Sequence, residues 1–352
     1  MTRPAAASTQ WAQPGLTRAD LQPWLDRTSR TFALTLRLLG EPLRTYASAA
    51  YLLCRIVDTV EDCETLPTET KVRYLRDFAN RLGGGPGPHP APGRLLFPDP
   101  ASWEERLTGH EAEILALINT FTPPVRDTIY RYAGEMSEGM AMFLEQQDQH
   151  GNLQFESDDQ LDQYCYYVAG TVGLMLNDLF ADVSGRDKSE ARNAAIEMGI
   201  GLQLTNIVKD IQRDSLRNVH YCPSGLNPHW PESTPPPADP DGREVRTLAS
   251  ATLSHLTCGR EYLLSLESNL SQYKLFCVAN YLMAWKTLES CLQDPGRTGG
   301  AGAAAGTKIS RFSVYATLLE SRGCVLSDNF LNWRVDRLKA SCRGLLLDTD
   351  RG

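Results

Sequence analysis

Two stretches of this chain carry acids at spacings that place them on one helical face. In the first, Tyr51, Arg55, Asp58 and Asp62 step by four, three and four, with Glu61 beside Asp58 on the adjoining edge. In the second, Gly199, Gln203, Asn206, Asp210 and Asp214 step by four, three, four and four. Both stretches are strongly helical in character, so each set lines one side of a helix. That side is polar where a buried helix is expected to be apolar. Carboxylates one turn apart repel, weakening a helix by about 0.2–0.5 kcal/mol per pair. Surface helices relieve this with interspersed bases, and here bases are few. A hard divalent cation suits such a set, because it prefers carboxylate, water and phosphate oxygens. Magnesium is seldom caged by protein alone and more often bridges carboxylates to a substrate's phosphates. The chemistry expected is two acidic helices facing across a cavity and holding a diphosphate through Mg2+. A solvated surface is the plain alternative for either cluster alone; two clusters, each flanked by apolar runs, weigh against it.

Positioning two such helices takes a sizeable core, and composition supplies one. The chain has 352 residues, 42% hydrophobic and 22% charged, enough for one large domain or two modest ones. Its net charge of -8, with no basic block, argues against general nucleic-acid binding. The nine cysteines are scattered, odd in number and without a Cys-x-x-Cys pair. That usage fits reduced thiols in a cytoplasmic protein rather than a disulfide framework or a zinc site. No apolar run approaches the roughly 18–20 residues of a membrane span, and the N-terminus lacks the apolar core of a signal peptide. A contact peripheral to the membrane is left open, as is the oligomeric state, a monomer being compatible.

Along the chain, residues 1–16 read as a loose tail, and Thr17 to Asp20 open a first helix with a capping-box-like signal. Ala33 to Leu39 is a further helical piece. Pro42 fits the first turn of a long helix ending at Asp62, whose apolar stripe Leu43, Ala47, Ala50, Cys54 and Val57 faces the core. A charged surface helix is expected over 68–82. The Gly/Pro-rich run 83–93 lacks the Gly-Lys-Ser/Thr ending of a phosphate-binding loop and any preceding strand, and reads as a connector. Helical periodicity fills 101–121 and 124–147, with a polar break from Asp148 to Glu156. From Asp158 a long helix contains Tyr164 and the glycines Gly170 and Gly173. Interior glycines cost about 1 kcal/mol each against alanine, tolerated where a backbone or a ligand approaches closely. Ser189 to about Leu216 is the second acidic helix. A proline-rich loop (223–242), helices over 244–269 and 272–293, a Gly/Ala-rich stretch (294–306) and helices near 310–321 and 327–341 complete the chain. No strand alternation and no repeat appear. Because both acidic helices must share one cavity, the reading is a single all-α domain over 17–343, with a tail at 344–352.

At these residues the chain resembles the squalene/phytoene synthase family. The likeness runs from about Thr28 to Leu319 and rests on four blocks in order. They are Ser29-Arg30-Thr31-Phe32; Tyr51 through Asp62; Tyr164 through Gly170; and Gln203, Asn206, Asp210 and Asp214. The block around Tyr164 is more similar to squalene synthases than to phytoene synthases. Lys308 and Arg311 resemble a basic stretch that squalene synthases use near NADPH, with Ser310 standing where the family often has arginine. The segment from Asp214 to Pro223 resembles the family's stretch after the second acidic motif and lacks its usual Gly-Arg pair. A C-terminal membrane anchor like that of eukaryotic squalene synthases is not seen, which points to a soluble, bacterial-type enzyme.

The resemblance implies an isoprenoid-synthase helical bundle around a central cavity. It implies condensation of two farnesyl diphosphates to presqualene diphosphate, then NADPH-dependent reduction to squalene. Asp58, Glu61, Asp62, Asp210 and Asp214 would hold magnesium. Ser29, Arg30, Tyr51, Arg55, Gln203 and Asn206 would meet the substrate, with an ion pair to a nearby acid the alternative for either arginine. Tyr164 would handle the proton, a satisfied core tyrosine being its alternative. Arg30, Arg55, Lys209, Lys308 and Arg311 would meet NADPH or diphosphate. Met175, Leu176, Phe276 and Met283 exemplify a lining for two prenyl chains, though each suits ordinary core. The rivals are a non-reductive dehydrosqualene, phytoene or presqualene-diphosphate synthase, a non-catalytic assembly protein of the same fold, and a class I terpene cyclase.

Overall fold

The computed structural model describes residues 21–29, 31–85, 93–147, 152–217, 219–222, 242–267, 271–294 and 310–347. The N-terminal tail, the signal at Thr17 to Asp20, Arg30 and most of the Gly/Pro connector lie outside these. So do the start of the Asp148 break, nearly all of the proline-rich loop, most of the Gly/Ala-rich stretch, Lys308 and the residues after Leu347.

The described residues are almost wholly helical, as the periodicity predicts. In order they form α1 (Leu21–Thr28), α2 (Phe32–Leu36), α3 (Leu43–Glu61), α4 (Thr68–Leu82), α5 (Gly93–Leu96), α6 (Trp103–Thr108), α7 (Glu111–Ile118) and α8 (Pro123–Leu144). Then come α9 (Asp158–Cys165), a π turn (Tyr166–Gly170), α10 (Thr171–Ser184), α11 (Arg192–Ser215), α12 (Arg243–Ser265), α13 (Ser271–Gln293), α14 (Arg311–Leu326) and α15 (Asp328–Leu347). The helix expected to end near 341 thus continues to Leu347. The helical region 101–121 is two helices, because Gly109 and His110 interrupt it.

The core is built on α3. Its stripe Leu43, Ala47, Ala50, Cys54 and Val57 is buried, as are Leu52, Leu53, Ile56 and Val60. Burying each leucine or isoleucine side chain contributes about 1.5–3 kcal/mol. Helices α1, α6, α7, α8 and α10 pack around α3, and α4 lies along α8. A second group forms where α11 packs along α12 and against α13, with α10 and the π turn linking the groups. The outer pair α14 and α15 lies against α13.

Three local features depart from the sequence reading. The helix over 68–82 is not a plain surface helix: Lys71, Tyr74, Leu75 and Phe78 are buried. Gly199 does not belong to the polar face of α11. It is buried, and a Cβ there would lie 2.4 Å from the carbonyl oxygen of Ala169, so it is a packing position. Gly173 is its counterpart: a Cβ would lie 2.3 Å from the Ala195 carbonyl oxygen. The interior glycines therefore let α10, the π turn and α11 approach backbone to backbone. Finally, two short strands pair in parallel, β1 (Leu153–Gln154) with β2 (Val219–His220). Strands this short offer no alternation for a sequence reading to detect.

Candidate active site

The acidic end of α3 and the C-terminal half of α11 are brought together without packing directly on each other. Arg217, in the turn after α11, spans the gap. Its Nη2 lies 2.8 Å from Asp62 Oδ1 and donates to the Asp62 carbonyl oxygen at 2.8 Å. Its guanidinium also lies 3.6 Å from Asp214 and 3.7 Å from Glu64. Burial works against the charge on Arg217, yet Asp62, Glu61 and Asp214 hold its pKa above the ordinary arginine value. One cation thus already links carboxylates of both acidic stretches.

At three of the acids burial outweighs the cations beside them. Asp58 keeps 31% of its side chain open to solvent, but protein surrounds it closely. Burial, with Asp62 adding repulsion against the relief from Arg55, lifts its pKa to about 7. Burial with Asp62 and Asp58 lifts Glu61 to about 8. Burial lifts Asp214 to about 7, with Arg217 opposing and Asp62 and Asp210 adding. Like charges crowded in a poorly solvated site favour protonation until a cation arrives.

Arg55, one turn before Asp58, lies 3.7 Å from it and 3.8 Å from Glu104 of α6. Burial disfavours its charge, but these acids, Asp62 and Tyr51 keep its pKa raised. Its ion-pair alternative is therefore the arrangement seen here. Lys209 lies 3.1 Å from Asp210 and donates to Asn206 Oδ1 at 3.0 Å. Gln203 is half-buried on the same face of α11. Tyr51 stacks on Phe32 at 5.0 Å and its hydroxyl reaches the Thr28 carbonyl oxygen at 3.5 Å. Ser29 Oγ accepts from the backbone N–H of Ala33 at 3.3 Å.

Tyr164 completes the group. Its hydroxyl donates to Glu61 Oε1 at 3.3 Å. Ser157 caps the helix that carries it, accepting from the Gln160 N–H, while Gln160 returns to the Glu156 N–H. The rings of Phe143, Phe155 and Tyr221 surround Tyr164 at 5.2, 5.5 and 5.9 Å. Burial, then Glu61 and Tyr221, raise its pKa well above the ordinary tyrosine value, so the phenol stays protonated. The β1–β2 pair explains this setting: it holds Phe155 and Tyr221 stacked 5.5 Å apart beside Tyr164. A π turn follows directly, a distortion common at functional sites.

Two basic residues expected at the site, Arg30 and Lys308, lie outside the described residues. Arg311 does not join the cluster seen here: it stands exposed at the start of α14, a helix packed mainly on α13 and α15. Ser310 before it caps α14 by accepting from Ser313 N–H at 3.0 Å. Met175, Phe276 and Met283 are buried in the core. Sequence reasoning assigned no role to Arg217, Tyr221, Glu104 or Lys71. Lys71 donates to the Glu61 carbonyl oxygen at 2.9 Å and secures the end of α3. A base three residues past Asp214 was the available signal for Arg217.

The carboxylates fit a divalent cation as open arms. Their donor chemistry and crowded negative charge suit magnesium. Among the described residues, no group of three or more His, Cys, Asp or Glu is gathered tightly enough to hold a metal by protein alone. An ion here would complete its shell with water and phosphate oxygens.

A helical bundle with two facing acidic helices and a buried tyrosine between them defines the class. The Squalene/phytoene synthase family model matches residues 25–311. This chain belongs to that family. It is 30% identical over 287 residues to a squalene synthase of Schizosaccharomyces pombe, a match covering 77% of this chain and 59% of that protein. The chain thus spans about three-fifths of that relative's length. It superposes on TcSQS in complex with the ligand BPH1237 with a TM-score of 0.73 at 22% identity, covering 95% of this chain and 97% of the other. A dehydrosqualene synthase bound to a ligand gives a TM-score of 0.59 at 18% identity, covering 87% and 95%. Among the described residues no helix is long and apolar enough to cross a membrane.

Proposed function

We propose that this chain joins two farnesyl diphosphates head to head into presqualene diphosphate and then reduces it, with NADPH, to squalene. The observation that carries this reading is the Tyr164 hydroxyl on Glu61, beside acids of two helices linked by Arg217. A proton-bearing group lies where a departing diphosphate would be held.

Asp58, Glu61, Asp62, Asp210 and Asp214 are the residues that would hold magnesium. When bound, magnesium neutralises diphosphate and makes it a better leaving group. Arg55 exchanges its pairing with Asp58 and Glu104 for phosphate oxygens, a charge-assisted contact. Tyr51, Ser29, Gln203 and Asn206 orient the substrate, and Arg30 adds charge. Tyr164, neutral and buried, is a weak base by itself. It takes the substrate proton on its oxygen while its own proton passes to Glu61 or to the departed diphosphate. Phe143, Phe155 and Tyr221 exclude water from the cationic stage. NADPH supplies hydride for the second stage, with Arg55 and Lys209 the basic residues adjoining the acids, and Lys308 and Arg311 completing the proposed set.

A non-reductive synthase is the second reading, favoured by the position of Arg311 away from the acidic helices. Incubation with farnesyl diphosphate and magnesium separates the two. Presqualene diphosphate without NADPH and squalene with it is the expected result. Dehydrosqualene regardless of NADPH overturns the reductive half. No turnover of any prenyl diphosphate by folded protein favours an assembly role.

A further inference from the structure

The exposed surface of α14 is unlike the rest of the molecule. Tyr315, Leu319, Arg322 and Leu326 step by four, three and four, so they share one face, and Phe312 borders it. Phe312 is 84% exposed, Leu319 68% and Leu326 85%. The face continues onto α15. Phe330 fills the space over Gly323 of α14 and stacks on Trp333 at 5.5 Å, and Arg337 lies over that indole at 5.2 Å. Large apolar groups standing together in water mark an interaction surface.

Charge identifies what the surface faces. The two helices contain three described acids, and all three are tied up: Asp328 with Lys274, Asp336 with Arg260, and Glu320 with Lys286 and Arg334. By contrast, Arg311, Arg322, Arg337 and Arg343 form no ion pair with an acid among the described residues. In a chain of net charge -8 this is a local excess of positive charge. Leucines, aromatic rings and unpaired arginines on one helix face are the composition of a segment lying in the interface of an anionic bilayer.

We propose that the exposed face of α14, with Trp333 and Arg337 of α15, docks this protein on the surface of anionic lipid membranes without crossing them. The proposal does not depend on the reaction assigned above, and its test needs no activity. The purified chain is sedimented with vesicles of phosphatidylglycerol and, separately, of phosphatidylcholine. Binding to the first is expected, weaker binding to the second, and loss with added salt. The triple change Leu319→Ser, Leu326→Ser and Trp333→Ser lowers binding at least about tenfold. Arg322→Gln lowers it about fivefold on phosphatidylglycerol only. Leu95→Ser, an exposed leucine elsewhere, leaves binding unchanged. Circular dichroism checks the fold of each variant, and Phe312→Ser alone decides the matter if the triple variant unfolds. Absence of wild-type binding, or equal binding by folded variants, overturns the proposal. So does sedimentation velocity showing that the same substitutions dissolve a dimer while vesicles are not bound.

Discussion

Arg217 holds Asp62 twice, by its carboxylate and by its backbone carbonyl, each at 2.8 Å. The contact fixes the end of α3 against the turn after α11 and so sets the width of the acidic gap. Arg217→Gln removes the charge-assisted pairs and leaves their partners facing one another. The expected cost is about 2 kcal/mol of stability, with a fall in kcat/KM for farnesyl diphosphate. Arg217→Lys restores charge without the fork and recovers only part. Chemical denaturation alongside steady-state kinetics checks this; an Arg217→Gln protein equal to wild type in both contradicts it.

Tyr164→Phe separates packing from chemistry. The ring contacts with Phe143, Phe155 and Tyr221 remain, and only the hydroxyl facing Glu61 is lost. Turnover is expected to fall about 100- to 10,000-fold, with the melting temperature little changed. Unaltered turnover would reduce Tyr164 to a core residue.

The crowded carboxylates predict stabilisation by magnesium. A ligand present at a hundred times its Kd adds about 2.7 kcal/mol. Thermal melts of chelator-treated protein are expected to rise with added magnesium, more so with inorganic diphosphate present. Asp58→Asn with Asp214→Asn is expected to abolish that rise while leaving the metal-free protein at least as stable, because buried repulsion is relieved. A magnesium response equal to wild type in this variant counts against the ligand assignment.

His255 of α12 adds a pH dependence of its own, separable from that of the acidic site by substituting it. Its ring lies 2.8 Å from Glu197 of α11 and 3.1 Å from Asp162 of α9, the helix that carries Tyr164. Burial opposes protonation, but the two carboxylates prevail and raise its pKa above 6.5. The folded state therefore binds the proton more tightly than the unfolded chain. Its contribution, about 1–3 kcal/mol, is full below the ordinary histidine value and is lost as pH rises through the raised one. His255→Leu is expected to narrow the difference from wild type at high pH and widen it at low pH, read by denaturation across that window.

Gly199 tests the backbone contact. Gly199→Ala drives a methyl into the Ala169 carbonyl and is expected to cost about 1–3 kcal/mol despite alanine's better helix propensity. A stabilised variant would show that the helices separate readily.

Much of this was legible in the sequence because helices announce themselves. The stripe of α3 is buried as its period demands, and Asp58, Asp210 and Asp214 stand half-buried on α3 and α11. What was hidden depends on distant pairing. Arg217 meets Asp62 across 155 positions, and no local pattern encodes that. Tyr221 reaches Tyr164 only because a two-residue ladder holds its segment. Lys71 read as surface charge, although its stem is buried and its ammonium serves a helix end. Gly199 fitted the polar spacing, but only the approach of a neighbouring backbone reveals its purpose.

The most direct test of the account follows hydrogen from cofactor to product. The protein is given farnesyl diphosphate, magnesium and NADPH deuterated at the nicotinamide C4, and the extracted hydrocarbon is examined by mass spectrometry. The account predicts squalene carrying a single deuterium, formed only with the reduced cofactor and lost in Tyr164→Phe. An unlabelled hydrocarbon formed equally without NADPH would contradict it.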